Sequence, residues 1–206
     1  MSIAIPQSVR DAADISAVTQ LVLTERESRD LGRWEAMRNC FQEDSLVRIS
    51  WFTGNGADFV AGSQDMARRK VLAKHRLGPV LVRLGGDRAV ASLSGIIDIP
   101  AEVHGVAVQL SSHARFLFRA QRHFDQWRLK GFDAIYQRDE FTTAVPGRVL
   151  PISDAELAPF RPSYRMLSYL LASQGFTVNP DLPGDDRPES AAALHKELFD
   201  WAGIPF

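Results

Sequence analysis

Val106-Ala107-Val108-Gln109-Leu110-Ser111-Ser112-His113-Ala114-Arg115-Phe116-Leu117-Phe118-Arg119-Ala120 reads as one long β-strand. Its even positions Val106, Val108, Leu110, Ala114, Phe116 and Phe118 make an apolar face, because successive strand side chains point to opposite sides. Gln109, Ser111, His113 and Arg115 make the other face, polar enough to be solvated or to line part of a cavity. Two strands precede it, Val80 to Leu84 and Ala89 to Ile99, joined through the hairpin signal Gly85-Gly86-Asp87-Arg88. Another, Trp127 to Tyr136, follows the turn at Asp125-Gln126. Strands in succession predict a curved, mostly antiparallel sheet.

The residues ahead of this run are helical in texture. Ile15, Val18 and Val22, with Leu21 and Leu23 beside them, fit an amphipathic helix entered at Asp14. Asp30 lies seven residues after Leu23 and four after Arg26, so the three share one side of that helix, which Gly32 breaks. A short helix over Trp34 to Phe41, a strand from Leu46 to Phe52 and a turn at Thr53-Gly54-Asn55-Gly56 come next. The stretch from Ser63 to His75 reads as a further helix. Helices, a strand, a helix and then four strands predict an α+β domain rather than alternating βαβ units.

From Phe141 onward seven prolines, from Pro146 to Pro188, cut the chain into short pieces. We therefore divide it into a domain over residues 1–140 and a Pro-rich extension over 141–206. The extension keeps two helical pieces, Tyr164 to Ser173 and Pro188 to Ala202, whose leucines and aromatic residues need a partner surface. That surface is expected on the domain itself or on a neighbouring subunit.

The chain has 206 residues, a net charge of -1 and a single cysteine, Cys40. This length suits one domain with an ordered extension. The charge gives no general attraction to nucleic acid or to an anionic membrane, and no apolar run approaches the roughly 18 residues of a spanning helix. One cysteine forms no intrachain disulfide, and the start of the chain lacks the pattern of a signal peptide, so a cytoplasmic location is expected.

Asp30-Leu31-Gly32-Arg33-Trp34 running on to Asp44, with Gly62, His75 and the strand opened by Trp127-Arg128-Leu129, resembles the SnoaL-like branch of the NTF2-like superfamily. Scytalone dehydratase, bile-acid 7α-dehydratase and a hexachlorocyclohexane dehydrochlorinase are among its members. The resemblance covers roughly residues 10 to 138. It implies a cone-shaped α+β barrel, a curved sheet wrapped on N-terminal helices around a deep apolar pocket, with the extension outside it. It also implies an acid/base dyad of Asp30 and His75, with His113 as a second acid/base group. Arg115, Tyr136, Trp51 and Phe52 become substrate-binding candidates, with Asp133 the alternative to Tyr136 because the two differ in strand parity.

A neutral imidazole in an apolar pocket can take a proton from an activated carbon or hydroxyl, and a carboxylate on its other nitrogen fixes the tautomer. Such chemistry needs no metal and no organic cofactor, and none is expected. Where dehydratase relatives carry tyrosines, this chain has Glu25, Arg26 and Arg29 near Asp30, and Trp51 and Phe52 on the strand. Elimination and ketosteroid-isomerase-like isomerisation therefore both stay open.

Three functional classes fit the residues. The favoured one is a cofactor-independent, dehydratase-like lyase acting on a small, largely apolar molecule, aromatic or steroid-like ones included. The second is a non-catalytic subunit resembling the small β subunit of aromatic-ring dioxygenases. The third is a small-molecule-binding protein with the same pocket. A homodimer or higher homo-oligomer is expected from the resemblance.

Overall fold

The computed structural model describes residues 6–205. Helix α1 (Gln7–Leu31) and a short α2 (Trp34–Arg38) lead into strands β1 (Phe41–Ile49) and β2 (Phe52–Gly54), then helix α3 (Gly56–Arg68). Strands β3 (Lys74–Leu77), β4 (Leu81–Gly85), β5 (Arg88–Val103), β6 (Val106–His123) and β7 (Gln126–Thr143) follow. After them come α4 (Asp154–Leu157), α5 (Arg165–Ser173) and α6 (Pro188–Ala202). The strands form one curved sheet in the order β2-β1-β7-β6-β5-β3, with β4 also on β5. Its pairs are antiparallel except for β1 with β7. The sheet is wrapped on the N-terminal helices and stays unclosed, with β2 at one edge and β3 at the other. No helix among the described residues is long and apolar enough to cross a membrane.

The long hairpin of β5 and β6 turns on His104 and Gly105, both at positive φ (50° and 72°), the geometry that matches a two-residue turn to strand twist. Even-numbered residues of β6 enter the main core, where Phe118 stacks on Phe132 of β7 at 4.4 Å. Opposite residues on β7 keep step except at two register shifts, where Lys130 and Gln137 are the extra residues. Such bulges bend and twist a strand, and here they curve the sheet around its inner face.

Local boundaries depart from the sequence reading in three places. Helix α1 begins at Gln7, and Asp14, expected at its start, lies mid-helix and accepts bonds from Arg122 (2.6 Å) and the Trp127 indole (3.0 Å). It anchors the helix to the sheet. Strand β1 begins at Phe41, ahead of the expected Leu46, and Phe52 starts the next strand. Helix α3 ends at Arg68, and His75, expected on that helix, lies on β3 opposite Ile97. The stop is a Schellman closure: Lys70 takes a left-handed φ of 62°, its N–H bonds Ala67 O, and the Val71 N–H bonds Met66 O.

The segment after β7 packs on both faces of the sheet. Helix α5 puts Leu167, Leu170 and Leu171 into the main core on the inner side. Asp139 of β7 holds its first turn by accepting the Leu167 N–H at 2.7 Å, and burial pushes that carboxyl up to about 6. Helix α6 covers Val90, Leu117 and Ile135 on the outer side with Leu194, Leu198 and Phe199. At the end of α6, the Ala202 carbonyl lies where a Cβ on Gly85 would sit, at 1.9 Å. Gly85→Ala should therefore push α6 off the β4 end and destabilise the protein by about 1–3 kcal/mol. Chemical denaturation and amide exchange over residues 194–202 measure this; a change under about 0.5 kcal/mol, the scale of an ordinary surface substitution, would show that α6 does not dock there tightly.

Candidate active site

The buried stripe of α1 begins apolar, at Val18 and Val22, and continues as Glu25, Arg26, Ser28 and Arg29. Helical spacing carries these charged residues onto the face that looks into the curve of the sheet. Arg26 and Arg29 line a cavity there with His75, Trp51, Phe59, Phe116, Phe132 and Tyr136. Leu167 and Leu171 of α5 close it. The free volume is about 40 Å³, room for a few waters; a larger occupant requires side chains or α5 to move.

Asp30, in the last turn of α1, and His75, on β3, meet across the rim of this cavity. The Asp30 Oδ1 lies 2.6 Å from the His75 ring Nδ1, and Oδ2 accepts the His75 backbone N–H at 2.7 Å. Lys74 Nζ bonds the Asp30 backbone carbonyl from the same strand. With the carboxylate taking the Nδ1 proton, Nε2 carries the lone pair; this tautomer is the one the hydrogen-bond network assigns. Arg26 Nη1 stands 3.4 Å from Nε2. A groove between α1 and β3, lined by Arg26, Asp30, Lys74, His75 and Leu77, reaches the same pair from outside.

Arg26 points Nη1 toward His75 and commits its other two nitrogens to Glu25. Both carboxylate oxygens of Glu25, itself buried, lie 2.5 Å from its guanidinium, whose carbon sits 4.7 Å from the centre of the Phe132 ring. Arg29 is 6% exposed; its Nη2 lies 3.8 Å from the Met66 sulfur and its guanidinium carbon 5.9 Å from the centre of the Trp34 ring. Burial first and the neighbouring Arg26 second pull Arg29 down to about 10. Tyr136 accepts the Ser50 backbone N–H at 2.9 Å, and burial pushes its phenol up to about 12.

The other expected site residues are placed as follows. Trp51 is in the cavity wall, and Phe52 packs behind it, with ring centres 5.7 Å apart. Tyr136 faces in; Asp133, of opposite parity, lies on the outer face bonded to Arg48 and Arg119. His113 and Arg115 are odd residues of β6, and strand alternation turns them away from the side on which Phe116 lines the cavity. His113 stands among Arg76, Asp98, Arg138 and Glu140, and its expected role beside the dyad is corrected by that position. Arg26 and Arg29 were missed as wall residues; their signal is a charged continuation of an apolar helical stripe.

The amino-acid pattern of residues 10–133 matches the family model of the SnoaL-like domain. The chain belongs to this family. No curated protein matches it. Among solved structures it is similar to an NTF2-like protein with a cystatin-like fold from Novosphingobium aromaticivorans, at 22% identity over 62% of this chain and 84% of that one, TM-score 0.53. A type 2 hexachlorocyclohexane dehydrochlorinase matches at 15% identity over 70% and 98%, TM-score 0.55. A second N. aromaticivorans protein, provisionally named a scytalone dehydratase, matches at 12% over 69% and 99%, TM-score 0.56. At these identities the likeness is one of fold. The shared architecture is the cystatin-like fold of that NTF2-like protein, and α5 and α6 lie beyond the residues that the family model matches.

Burial is the largest influence on His75 and lowers its pKa below the usual 6.5; Arg26 and Arg29 act in the same direction, while the hydrogen bond and charge of Asp30 oppose them. Its imidazole is thus mostly neutral at pH 6.5. On acidification the unfolded chain binds the His75 proton first, so this group's contribution to stability falls as pH drops from 6.5 toward the folded value. Asp30, held below 3.8 by its bonds to His75 against the effect of burial, loses its stabilising contribution at still lower pH. A carbon–proton NMR titration should find the His75 midpoint below 6.5, and lower again in Asp30→Asn. A midpoint at or above 6.5 in the parent protein would contradict this electrostatic picture.

Proposed function

We propose that this SnoaL-like protein is a cofactor-independent lyase that eliminates water, or a similar leaving group, from a small and largely apolar molecule. The observation that carries this reading is the 2.6 Å contact between Asp30 and His75 at a cavity whose remaining wall is mostly aromatic and aliphatic. His75 Nε2 takes a proton from a carbon next to an activating group. The C–H electron pair becomes the new C=C bond, and the C–O pair leaves with the hydroxyl. The imidazolium, stabilised by Asp30, returns its proton to that hydroxyl, so water departs and the dyad is restored with no co-reactant.

Arg26 and Tyr136 suit the charge that develops on the activating oxygen. Preorganised donors in a site that excludes water act most strongly where charge appears in the transition state. The neutral state of His75 makes it a base at ordinary pH. The fold is compatible with this chemistry, since the hexachlorocyclohexane dehydrochlorinase shares it, although a fold alone carries no reaction. Isomerisation would use the same first proton transfer and return the proton to carbon.

A turnover screen over β-hydroxy ketones, hydroxylated aromatic compounds and halogenated rings tests the reading. For a substrate that the parent protein converts, His75→Gln and Asp30→Asn should each reduce kcat by about 10²- to 10⁴-fold. Equal rates in the parent and His75→Gln would remove this dyad from the mechanism.

A further inference from the structure

The cavity has more donors than it can satisfy. Glu25 neutralises Arg26, and Asp30 is engaged by His75 and flanked by Lys74. Arg29 is the exception. It lines the cavity, is 94% buried, and has no carboxylate within ion-pair distance among the described residues; its only hydrogen bond is the long one to Met66. Its Nε and Nη1 donate to no protein atom among those residues. Tyr136 is a second case, since its oxygen accepts from Ser50 and its own proton has no protein acceptor among the described residues.

Asp30 and Glu25 attract Arg29 only through space, and a buried guanidinium with no carboxylate in direct contact is unfavourable. A ligand that complements Arg29 and Tyr136 accepts hydrogen bonds, donates none and carries negative charge. A carboxylate has these properties: it is acceptor-only, and its planar pair of oxygens matches a guanidinium edge. An amide or alcohol would bring donors where donors are already in excess.

We propose that the cavity binds a carboxylate-bearing molecule, with Arg29 as the counter-ion of its carboxylate and Tyr136 as a further donor. This rests on the cavity being the substrate site and narrows the substrate class from apolar molecules to small organic acids with an apolar, ring-sized body. The apolar wall of Trp51, Phe116, Phe132, Leu167 and Leu171 takes the body. Arg29 is a binding residue, and the dyad does the chemistry.

Calorimetry and thermal denaturation with formate, which needs little opening of the cavity, and with benzoate test the proposal against the neutral formamide and benzamide. Both carboxylates should raise the Tm of the parent protein, and the amides should bind at least about tenfold more weakly. Arg29→Met should weaken benzoate about 10- to 100-fold, the range expected for loss of a charged hydrogen bond. Arg29→Lys should recover part of it. In the absence of ligand, Arg29→Met should be as stable as the parent or more so, whereas a purely structural arginine would lower the Tm when removed. If benzamide binds as well as benzoate, or sodium chloride at equal concentration stabilises as much, the carboxylate site is wrong. Unchanged benzoate binding in both Arg29 variants also overturns it. Benzoate carries no leaving group, so the two readings can fail separately. Arg29-dependent binding without His75-dependent turnover refutes the lyase alone; His75-dependent turnover without such binding refutes the carboxylate site alone.

Discussion

One carboxylate bonds twice to one residue. Asp30 takes both the ring Nδ1 and the backbone N–H of His75, so the position of β3 and the orientation of the imidazole are set by the same group. A single side-chain bond would leave the ring free to turn about its own torsions. Two bonds from opposite ends of the residue fix the ring relative to the strand. Because β3 is an edge strand held to the sheet by β5 alone, its contact with α1 is the link between the helical layer and that edge. The inner cavity depends on this link, since His75 is part of its wall and Phe116 lies behind the ring at 5.9 Å between centres.

The fold was legible where periodicity had one interpretation. The alternation of residues 106–120 put Phe116 and Phe118 inward, and Gly85-Gly86-Asp87-Arg88 marked a turn that the sheet uses. It was not legible between Ser63 and His75. Ala67, Arg68, Lys70, Leu72 and Lys74 are good helix formers, and intrinsic propensity is a weak prior once tertiary pairing competes with it. The helix stops because Lys70 adopts a left-handed conformation that usually falls to glycine or asparagine, so its residue type gives no warning. The compensation is tertiary: Val71 and Met66, at the two ends of the closing bond, are both buried.

For the candidate site the same division holds. Asp30 and His75 were recognisable by order along the chain, which survives the change of His75 from helix to strand. His113 and Arg115 share a strand with Phe116, but parity alone says only that they face the other side, and choosing which side is the cavity requires the curvature of the sheet. That curvature comes from bulges at Lys130 and Gln137, which no local pattern announces. Leu167 and Leu171 were harder still. They reach the cavity through a return of the chain after the short segments cut by Pro146, Pro151, Pro159 and Pro162, a path determined by packing and by the Asp139 bond to the start of α5.

The extension changes what the cavity can do. Leu167 and Leu171 of α5 complete the wall of the inner space, which keeps about 40 Å³ free. Exclusion of water lowers the local dielectric, which strengthens every charge interaction inside. It also makes an anion beside Arg29 more favourable than the same pair would be in water. A larger occupant requires side chains or α5 to move, and the first turn of α5 is held by a carboxyl that burial pushes up to about 6. The clasp and the cavity are thus coupled through one helix.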